Sequence, residues 1–293
     1  MYYYVLPGVG IYGGVKKAFH CADLLGSSGV PCVVATPSGS RPTWFPTAAP
    51  TIDREILTER CRPEDVVLFS WPPDAPFVAR LPARRKVVHM QGANTKADLA
   101  LFRRPFEFVS HGLHMTQQLL AHGRVAPYVP LGVRDVFRWS GEPKRPGSVT
   151  LMSRKGGRWI ETVRRALPPD APLAVVDGLS EDEVAALLRS TDVFVAISAK
   201  EAFGLPPLEA MAAGCCVVGF RGDGGFEFMR HGETAHLVPN GDREGLEQAV
   251  AEVLARPAYR DGLRERARAV AAYYTLERER AYLLRALGLT REA

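Results

Sequence analysis

One stretch, residues 193–225, limits the possible folds of this chain more than any other. Two short apolar runs rich in β-branched residues, Val193 to Ser198 and Cys215 to Phe220, predict two buried strands. A loop over Ala199 to Leu205 separates the first strand from a short helix, roughly Pro206 to Ala213, because proline is accommodated in a first helical turn. Strand, loop, helix and strand in so few residues predict one crossover unit of an open parallel sheet.

Two carboxylates lie near the N-terminus of that helix, one before it and one within it. Glu201 lies in the predicted loop, and Glu209 lies in the predicted first turn. We expect the backbone N–H groups of Phe203, Gly204 and Leu205 to point into the same crevice, since a helix N-terminus offers free donors and partial positive charge to a diphosphate. A carboxylate can accept hydrogen bonds from two vicinal hydroxyls. A ligand that carries both a phosphate and a polyol is a nucleotide sugar. The two glutamates taken alone would instead be interpreted as a helix cap and a surface residue.

The complete sequence of this loop and helix decides between a nucleotide-sugar site and an ordinary helix cap. E-A-F-G-L-P-P-L-E-A-M-A-A-G closely resembles the E-x7-E signature of retaining glycosyltransferases with the GT-B fold, the family-four type. The resemblance implies two doubly wound, Rossmann-like α/β domains and metal-independent transfer of a hexose from a nucleotide-diphosphate sugar to an acceptor hydroxyl. It also implies that Glu209 holds the ribose, Glu201 the sugar hydroxyls, and Phe203 to Leu205 the sugar or phosphate. Ala202 departs from the family, which usually has Gly there.

The resemblance extends to two loops of the second domain. Arg154, with Lys155 or Arg158, follows the first strand of this domain, where the family keeps the cations that neutralise the donor diphosphate. Cations in that place also stabilise the charge that grows on the leaving group. Gly178 and Leu179 follow the next strand, where the family contacts the nucleotide base. The alternative for the basic residues is a solvated loop.

Three residues of the first half complete the predicted site. Gly13 and Gly14 follow the first strand, and the family's equivalent glycine pair lies near the acceptor and the donor phosphates; a merely tight turn is the alternative. Gln91 follows the strand ending at Met90, where many family members carry a histidine against the donor sugar. Glutamine can hydrogen-bond a hydroxyl but cannot take a proton. We expect His89 to point to the opposite face of the strand.

Length and composition allow two domains. With 293 residues, 46% of them hydrophobic, the chain is an ordinary globular protein with room for two cores. The Pro- and Gly-containing segment 138–147 has the composition of a linker, so we predict an acceptor-side domain over 1–139 and a donor domain over 140–293, with a last helix that can cross back. Five cysteines without a C-x-x-C pair predict no disulfide framework and a cytoplasmic protein. We expect no cofactor and no metal, only a UDP- or GDP-linked sugar as substrate.

Charge is unevenly placed along the chain. Residues 1–139 contain 16 Lys and Arg against 10 Asp and Glu, whereas residues 140–293 contain 21 against 22. The clusters Arg84-Arg85-Lys86 and Arg103-Arg104 flank the strand that ends at Gln91 and indicate an anionic acceptor approaching there. A lipid-linked glycan at the inner membrane face is the first candidate, with peripheral membrane contact. Modified DNA or a small soluble acceptor are the alternatives.

Two functions of other classes fit the same sequence. A sugar-phosphate isomerase or epimerase of similar fold would consume a nucleotide sugar without any acceptor. A non-catalytic subunit would bind a nucleotide sugar without converting it. The resemblance favours the transferase, acting in glycan or polysaccharide assembly.

Overall fold

The computed structural model describes residues 1–92, 96–154 and 156–290, and these form two compact units. Unit 1 comprises Met1–Pro130 and Leu276–Ala293, and unit 2 comprises Leu131–Thr275. Residues 131–139, which we assigned to the first domain, group with unit 2, and the chain's last helix groups with unit 1.

Each unit contains one parallel sheet. The strands are β1 (Tyr2–Val5), β2 (Cys32–Thr36), β3 (Thr51–Asp53), β4 (Val66–Phe69), β5 (Arg85–Met90) and β6 (Glu107–Ser110) in unit 1, and β7 (Arg145–Met152), β8 (Leu173–Val176), β9 (Thr191–Ala196), β10 (Cys216–Phe220) and β11 (His236–Val238) in unit 2. The strand order is β3-β2-β1-β4-β5-β6 in the first sheet and β11-β10-β9-β7-β8 in the second, and the neighbouring strands pair in parallel. These are the two common orders of doubly wound folds, so the predicted fold class is confirmed.

Helices α1 to α8 lie between strands along the chain, and α9 to α11 follow the last strand. They are α1 (Gly13–Ser27), α2 (Arg54–Arg60), α3 (Ala75–Arg80), α4 (Lys96–Leu101), α5 (Leu113–Ala121), α6 (Ile160–Ala166), α7 (Glu181–Ser190), α8 (Leu205–Ala212), α9 (Arg243–Ala255), α10 (Pro257–Ala271) and α11 (Leu276–Ala286). Helix α7 begins with a capping box of Ser180 and Glu183, which the sequence Ser-Glu-Asp-Glu at 180–183 predicts. The Arg and Glu residues at helical spacings over 259–287 predict one terminal helix. This prediction is wrong, because the chain leaves the helix after Ala271 and begins α11 at Leu276.

Burial explains the composition of the strands. Strands β4 and β10 are buried along their whole length, and their sequences VVLF and CVVGF are apolar without alternation, as in a sheet covered on both faces. The core of unit 1 packs α1 and α11 on one face of the first sheet, through residues such as Tyr4, Phe19 and Leu283. The five cysteines are buried free thiols.

The loop after β2 is better packed than its composition predicts. The Pro, Ser and Thr residues of segment 37–50 predict an irregular loop, with Trp44 and Phe45 either exposed for acceptor recognition or packed in a small hydrophobic cluster. Phe45 is buried in the core of unit 1, and its ring contacts Phe19 at a centroid distance of 5.8 Å. Trp44 packs edge-on against Phe45, and its indole N–H donates to the Val9 carbonyl at 3.2 Å. The two aromatic side chains therefore anchor this loop to the unit.

Both sheets have a point where the strand order reverses. In unit 1 it lies between β1 and β4, and in unit 2 between β7 and β9. The loops leaving the carboxyl ends of such a strand pair run to opposite sides of the sheet and leave a crevice, which is where doubly wound proteins bind ligands. Predicted site residues follow β1, β7 and β9 at these reversal points, and others follow the carboxyl ends of β5 and β8 in the same sheets.

Candidate functional site

In unit 2, the loops after β7 and β9 pack directly against each other. A Cβ atom on Gly156 would lie 2.6 Å from the Ile197 side chain and 2.8 Å from the Ile197 carbonyl oxygen, so the two loops meet where a side chain has no room. Arg154 precedes this contact and is exposed. The loop that carries Arg154 therefore lies next to the loop that carries Glu201. Lys155 lies outside the described residues.

The loop between β9 and α8 presents backbone donors. Helix α8 begins at Leu205, and its next two residues, Pro206 and Pro207, have no N–H. Within the described part of the chain, the N–H groups of Phe203, Gly204 and Leu205 have no hydrogen-bond partner. Three unpaired donors at a helix N-terminus are suited to an anionic or oxygen-rich ligand. The ligand that we predicted for them stays a prediction.

The two glutamates have different surroundings. Glu209 is only 4% exposed and lies in the second turn of α8, so its placement in the first turn is wrong by one residue, because α8 begins at Leu205. Glu201 is half-buried, with a carboxylate oxygen 3.5 Å from the Ser198 hydroxyl. Ala202 is buried and does not have a positive φ, so it fits without backbone strain where the family usually has Gly.

The glycine-rich loop after β10 holds Glu201 in place, a role that sequence reasoning missed. The N–H groups of Asp223 and Gly224 both donate to the Glu201 carbonyl at 2.9 Å. A Cβ on Gly224 would lie 1.8 Å from the Ala202 carbonyl oxygen. The three glycines among residues 222–225 predict a flexible loop, but these contacts fix it. A glycine run directly after a buried strand was the available signal.

The loop after β8 lies at the edge of the same sheet. Gly178 is exposed, and its φ of +68° lies in the left-handed region that favours glycine. Leu179 is partly buried and precedes the capping box of α7. The two residues are therefore accessible at the carboxyl end of β8.

Arg158, the alternative to Lys155 in the loop after β7, lies over the Trp159 ring at 5.0 Å.

In unit 1, a polar cluster joins β1 and β5. The Tyr4 hydroxyl lies 2.5 Å from His89 Nδ1, and Gln91 Nε2 donates to the same hydroxyl at 3.2 Å. A Cβ on Gly14 would lie 2.6 Å from Gln91 Oε1, so α1 approaches this amide at a residue without a side chain. Gly13 is exposed, and a Cβ there would have no neighbour within 4 Å among the residues that the structure describes. The structure thus brings Gly14 and Gln91 together.

The expected orientation of His89 is wrong. Side chains two positions apart in a strand share a face, and His89 and Gln91 both contact Tyr4. Burial lowers the pKa of His89 to about 3 and that of His111 well below its ordinary value, so both rings are neutral at pH 7. Their centroids are 3.8 Å apart, and His111 Nδ1 lies 2.9 Å from the Val129 carbonyl oxygen.

The cluster Arg84-Arg85-Lys86 of unit 1 lies away from Gln91. Arg85 begins β5, so Arg84-Arg85-Lys86 lies at the amino end of the strand, roughly 20 Å from Gln91 for a strand of this length. Arg85 forms a two-point contact with Glu107, and Lys86 donates to the Ala79 carbonyl at 3.0 Å. This cluster and Gln91 therefore lie at opposite ends of β5, so the cluster does not mark an acceptor site beside Gln91. An anionic acceptor stays a prediction.

The pattern of residues in unit 2 matches a known family. Residues 167–270 match the family model "Glycosyl transferases group 1". That segment includes β8 to β11 with both glutamates, the three N–H donors, Gly178 and Leu179, whereas Arg154 and the unit 1 residues lie outside it.

Curated relatives match parts of the chain. The chain is 39% identical, over 30% of its length and 23% of the relative, to N-acetyl-alpha-D-glucosaminyl L-malate synthase of Bacillus anthracis. It is 40% identical to a phosphatidyl-myo-inositol mannosyltransferase of Mycobacterium tuberculosis over 51% of this chain and 49% of that one. The chain spans about a quarter of the length of the first curated relatives it matches.

Two solved structures share the fold over nearly the whole chain. WaaG, a glycosyltransferase involved in lipopolysaccharide biosynthesis, gives a TM-score of 0.75 at 15% identity, covering 98% of this chain and 100% of that one. HepE of Anabaena, solved with UDP-glucose, gives a TM-score of 0.74 at 15% identity and covers 99% of both chains. At this identity the likeness shows the fold.

Proposed function

We propose that this protein is a glycosyltransferase that moves a hexose from a nucleotide-diphosphate sugar to an acceptor hydroxyl, with retention at the anomeric carbon and without a metal. The observation that carries the proposal is the loop between β9 and α8. It combines Glu201, buried Glu209 and three backbone donors that have no partner among the described residues, at the carboxyl end of a strand beside the sheet's reversal point. The family match covers this loop.

The donor side follows from the chemistry of these groups. The N–H groups of Phe203, Gly204 and Leu205 are donors for phosphate or sugar oxygens, and the carboxylates of Glu201 and Glu209 are acceptors for hydroxyls of the hexose and the ribose. Arg154, with Lys155, would bind the diphosphate and stabilise the charge that develops as the glycosidic bond breaks. Gly178 and Leu179 would border the base.

The acceptor side is proposed for unit 1. Gln91 and Gly14 lie together at the carboxyl edge of the first sheet, next to the start of α1. An uncharged amide there suits a hydroxyl, and the role of the family's histidine at this position would be filled by hydrogen bonding alone. We propose an acceptor from glycan or polysaccharide assembly. Relatives named for lipopolysaccharide core biosynthesis in Rhizobium meliloti and for mannosyl transfer to phosphatidyl-myo-inositol support that class.

Peripheral membrane contact is part of the proposal for a lipid-linked acceptor. Helices of the described residues include none that is long and apolar enough to span a membrane. Flotation with liposomes that contain or lack anionic lipid tests the contact directly. Binding that requires anionic lipid at low salt supports it, and absence of binding to either liposome contradicts it.

A ligand panel tests the donor assignment. UDP, GDP, ADP and dTDP, alone and with their sugars, are compared by thermal unfolding, where a ligand at 100 times its Kd adds about 2.7 kcal/mol to the free energy of unfolding. We expect one nucleotide family to stabilise the protein and Glu209→Gln to weaken its binding about 10- to 100-fold, the range for a hydrogen bond to a charged group.

Glu247→Gln is the matched control, because Glu247 is a surface residue of α9 paired only with Arg165 among the described partners. Its nucleotide affinity should equal that of the wild type. Equal affinity in Glu209→Gln and Glu247→Gln would refute the assignment of Glu209, and absence of binding by any nucleotide would refute the donor site.

A further inference from the structure

The amide of Gln91 lies between two different groups, and its orientation decides which ligand it can bind. One end of the amide faces the Tyr4 hydroxyl at 3.2 Å, and the other faces Gly14, where a Cβ would lie 2.6 Å away. Carbonyl oxygen and NH₂ nitrogen have the same shape, so the hydrogen-bond partners determine which end faces which neighbour.

The start of α1 favours the oxygen. Gly13 and Gly14 are the first two residues of this 15-residue helix, and within the described chain their N–H groups have no hydrogen-bond partner. Free N–H groups and the helix dipole make this end of α1 positive. Gln91 Oε1 is attracted to it, whereas an NH₂ group would be repelled.

The Tyr4 hydroxyl favours the same orientation. It has one proton and two lone pairs, and its three neighbours are Gln91, His89 and the Ser70 side chain. If Gln91 and Ser70 donate to the two lone pairs, the proton is available only to His89 Nδ1, which must then be unprotonated. His89 is fully buried and neutral, so it can accept at Nδ1 and carry its proton on Nε2.

The second buried histidine agrees with this assignment. His111 Nδ1 lies 2.9 Å from the Val129 carbonyl, which can only accept, so His111 donates there and keeps a lone pair on Nε2. His89 Nε2 and His111 Nε2 are both buried without a hydrogen-bond partner among the described residues. His89 Nε2 is then a donor and His111 Nε2 an acceptor. The two neighbouring rings therefore do not place two donors or two acceptors against each other.

We propose that Tyr4 and His89 are positioning residues that hold the Gln91 amide with Oε1 as the group offered to a sugar hydroxyl. An acceptor oxygen beside the N–H groups of α1 fits a hydroxyl, which donates to one and accepts from the other. A phosphate oxygen would be repelled by Oε1. The proposal rests on the proposed function for its ligand, a hydroxyl of the donor sugar or of the acceptor.

The orientation is tested first without any ligand. ¹⁵N NMR of histidine-labelled protein, with His89 assigned through His89→Gln, reports which ring nitrogen carries the proton. We expect protonation at Nε2 in the wild type and an altered His89 signal in Tyr4→Phe. Protonation of His89 at Nδ1 would overturn the proposal. Because no substrate is involved, this result is independent of whether the protein transfers sugar.

A double-mutant cycle then tests whether Tyr4 acts through Gln91. Tyr4→Phe should lower kcat/KM with UDP-glucose, or with the best donor of the panel, about 5- to 10-fold, the value of one hydrogen bond. In a Gln91→Ala background the same substitution should change it less than 2-fold. An equal effect in both backgrounds would overturn the proposal. Tyr3→Phe, the same change on the opposite face of β1, is the control and should match the wild type.

The source of the hydroxyl is read from binding. If it belongs to the donor sugar, Tyr4→Phe weakens UDP-glucose but leaves UDP unchanged. If it belongs to the acceptor, both affinities stay unchanged and the acceptor KM rises. Weaker binding of UDP itself would overturn the proposal, because it would show a contact with phosphate or nucleoside. Failure of the wild type to bind or turn over any nucleotide sugar would refute the proposed function and leave the histidine signal to decide the positioning.

Discussion

Replacing Gly224 by alanine should disable the candidate site through the backbone of Glu201. The added Cβ would lie 1.8 Å from the Ala202 carbonyl oxygen, whereas real Cβ contacts are not shorter than 3.0 Å. The two loops must separate by at least about 1.2 Å, which breaks the 2.9 Å bonds from Asp223 and Gly224 to the Glu201 carbonyl. At about 1 kcal/mol for each bond, the free energy of unfolding should fall by about 2 kcal/mol.

The loss of activity should be larger than the loss of stability. A displacement of about 1 Å near reacting groups can lower the rate on the order of 100-fold, and Glu201 moves with its backbone. Urea unfolding and donor turnover measure the two effects separately.

Gly262→Ala is the control for Gly224→Ala. It adds the same methyl group in the same unit, but among the described residues its Cβ meets only the flexible end of Arg266, at 3.3 Å. It should be as active as the wild type and at least as stable, since alanine is favoured over glycine within a helix. Wild-type stability and turnover in Gly224→Ala would refute the inference that this loop positions Glu201.

Three further predictions follow from single groups. Arg154→Ala should lower kcat more than it weakens nucleotide binding, with activity retained in EDTA; strict metal dependence would contradict the mechanism. Neutral, buried His89 and His111 gain protons only on unfolding, so below about pH 6.5 each should lower the free energy of unfolding by up to about 1.4 kcal/mol per pH unit, and His89→Gln should reduce that slope. Glu279→Gln leaves Lys17, 2.5 Å away and 2% exposed, without its carboxylate; urea unfolding should show a loss of about 3–5 kcal/mol, and a loss below about 1 kcal/mol would contradict this.

The sheet architecture could be predicted because parallel strands are short apolar runs separated by Gly and Pro. Strand β3 and helices α2, α3 and α4 were missed, since they have at most seven residues and too few apolar positions to show a period. The break between α10 and α11 could not be predicted from propensity. It is made by tertiary pairing, in which Val133 N–H donates to the Tyr274 carbonyl at 3.0 Å and the Tyr274 ring contacts Phe203 and Phe228.

The candidate site was predictable where its residues are close in sequence. Glu201, Glu209 and the donors between them lie in one loop and helix, so their spacing carries the signal. Tyr4 and His89 are 85 residues apart, and only the pairing of β1 and β5 with β4 brings them together. No local sequence pattern indicates such a contact, so the polar cluster around Gln91 could be found only in the structure.

Sugar transfer with retention is the central claim, and the anomeric proton tests it most directly. In real-time ¹H NMR, the donor identified by the ligand panel is mixed with the protein and candidate glycan acceptors, with water as the default acceptor. Starting from an α-linked donor such as UDP-glucose, we predict that the first product formed carries an α-anomeric proton and that Glu209→Gln slows its appearance. A β-anomeric first product would contradict retention, and conversion of the donor into an isomeric nucleotide sugar without any transfer would contradict the transferase itself.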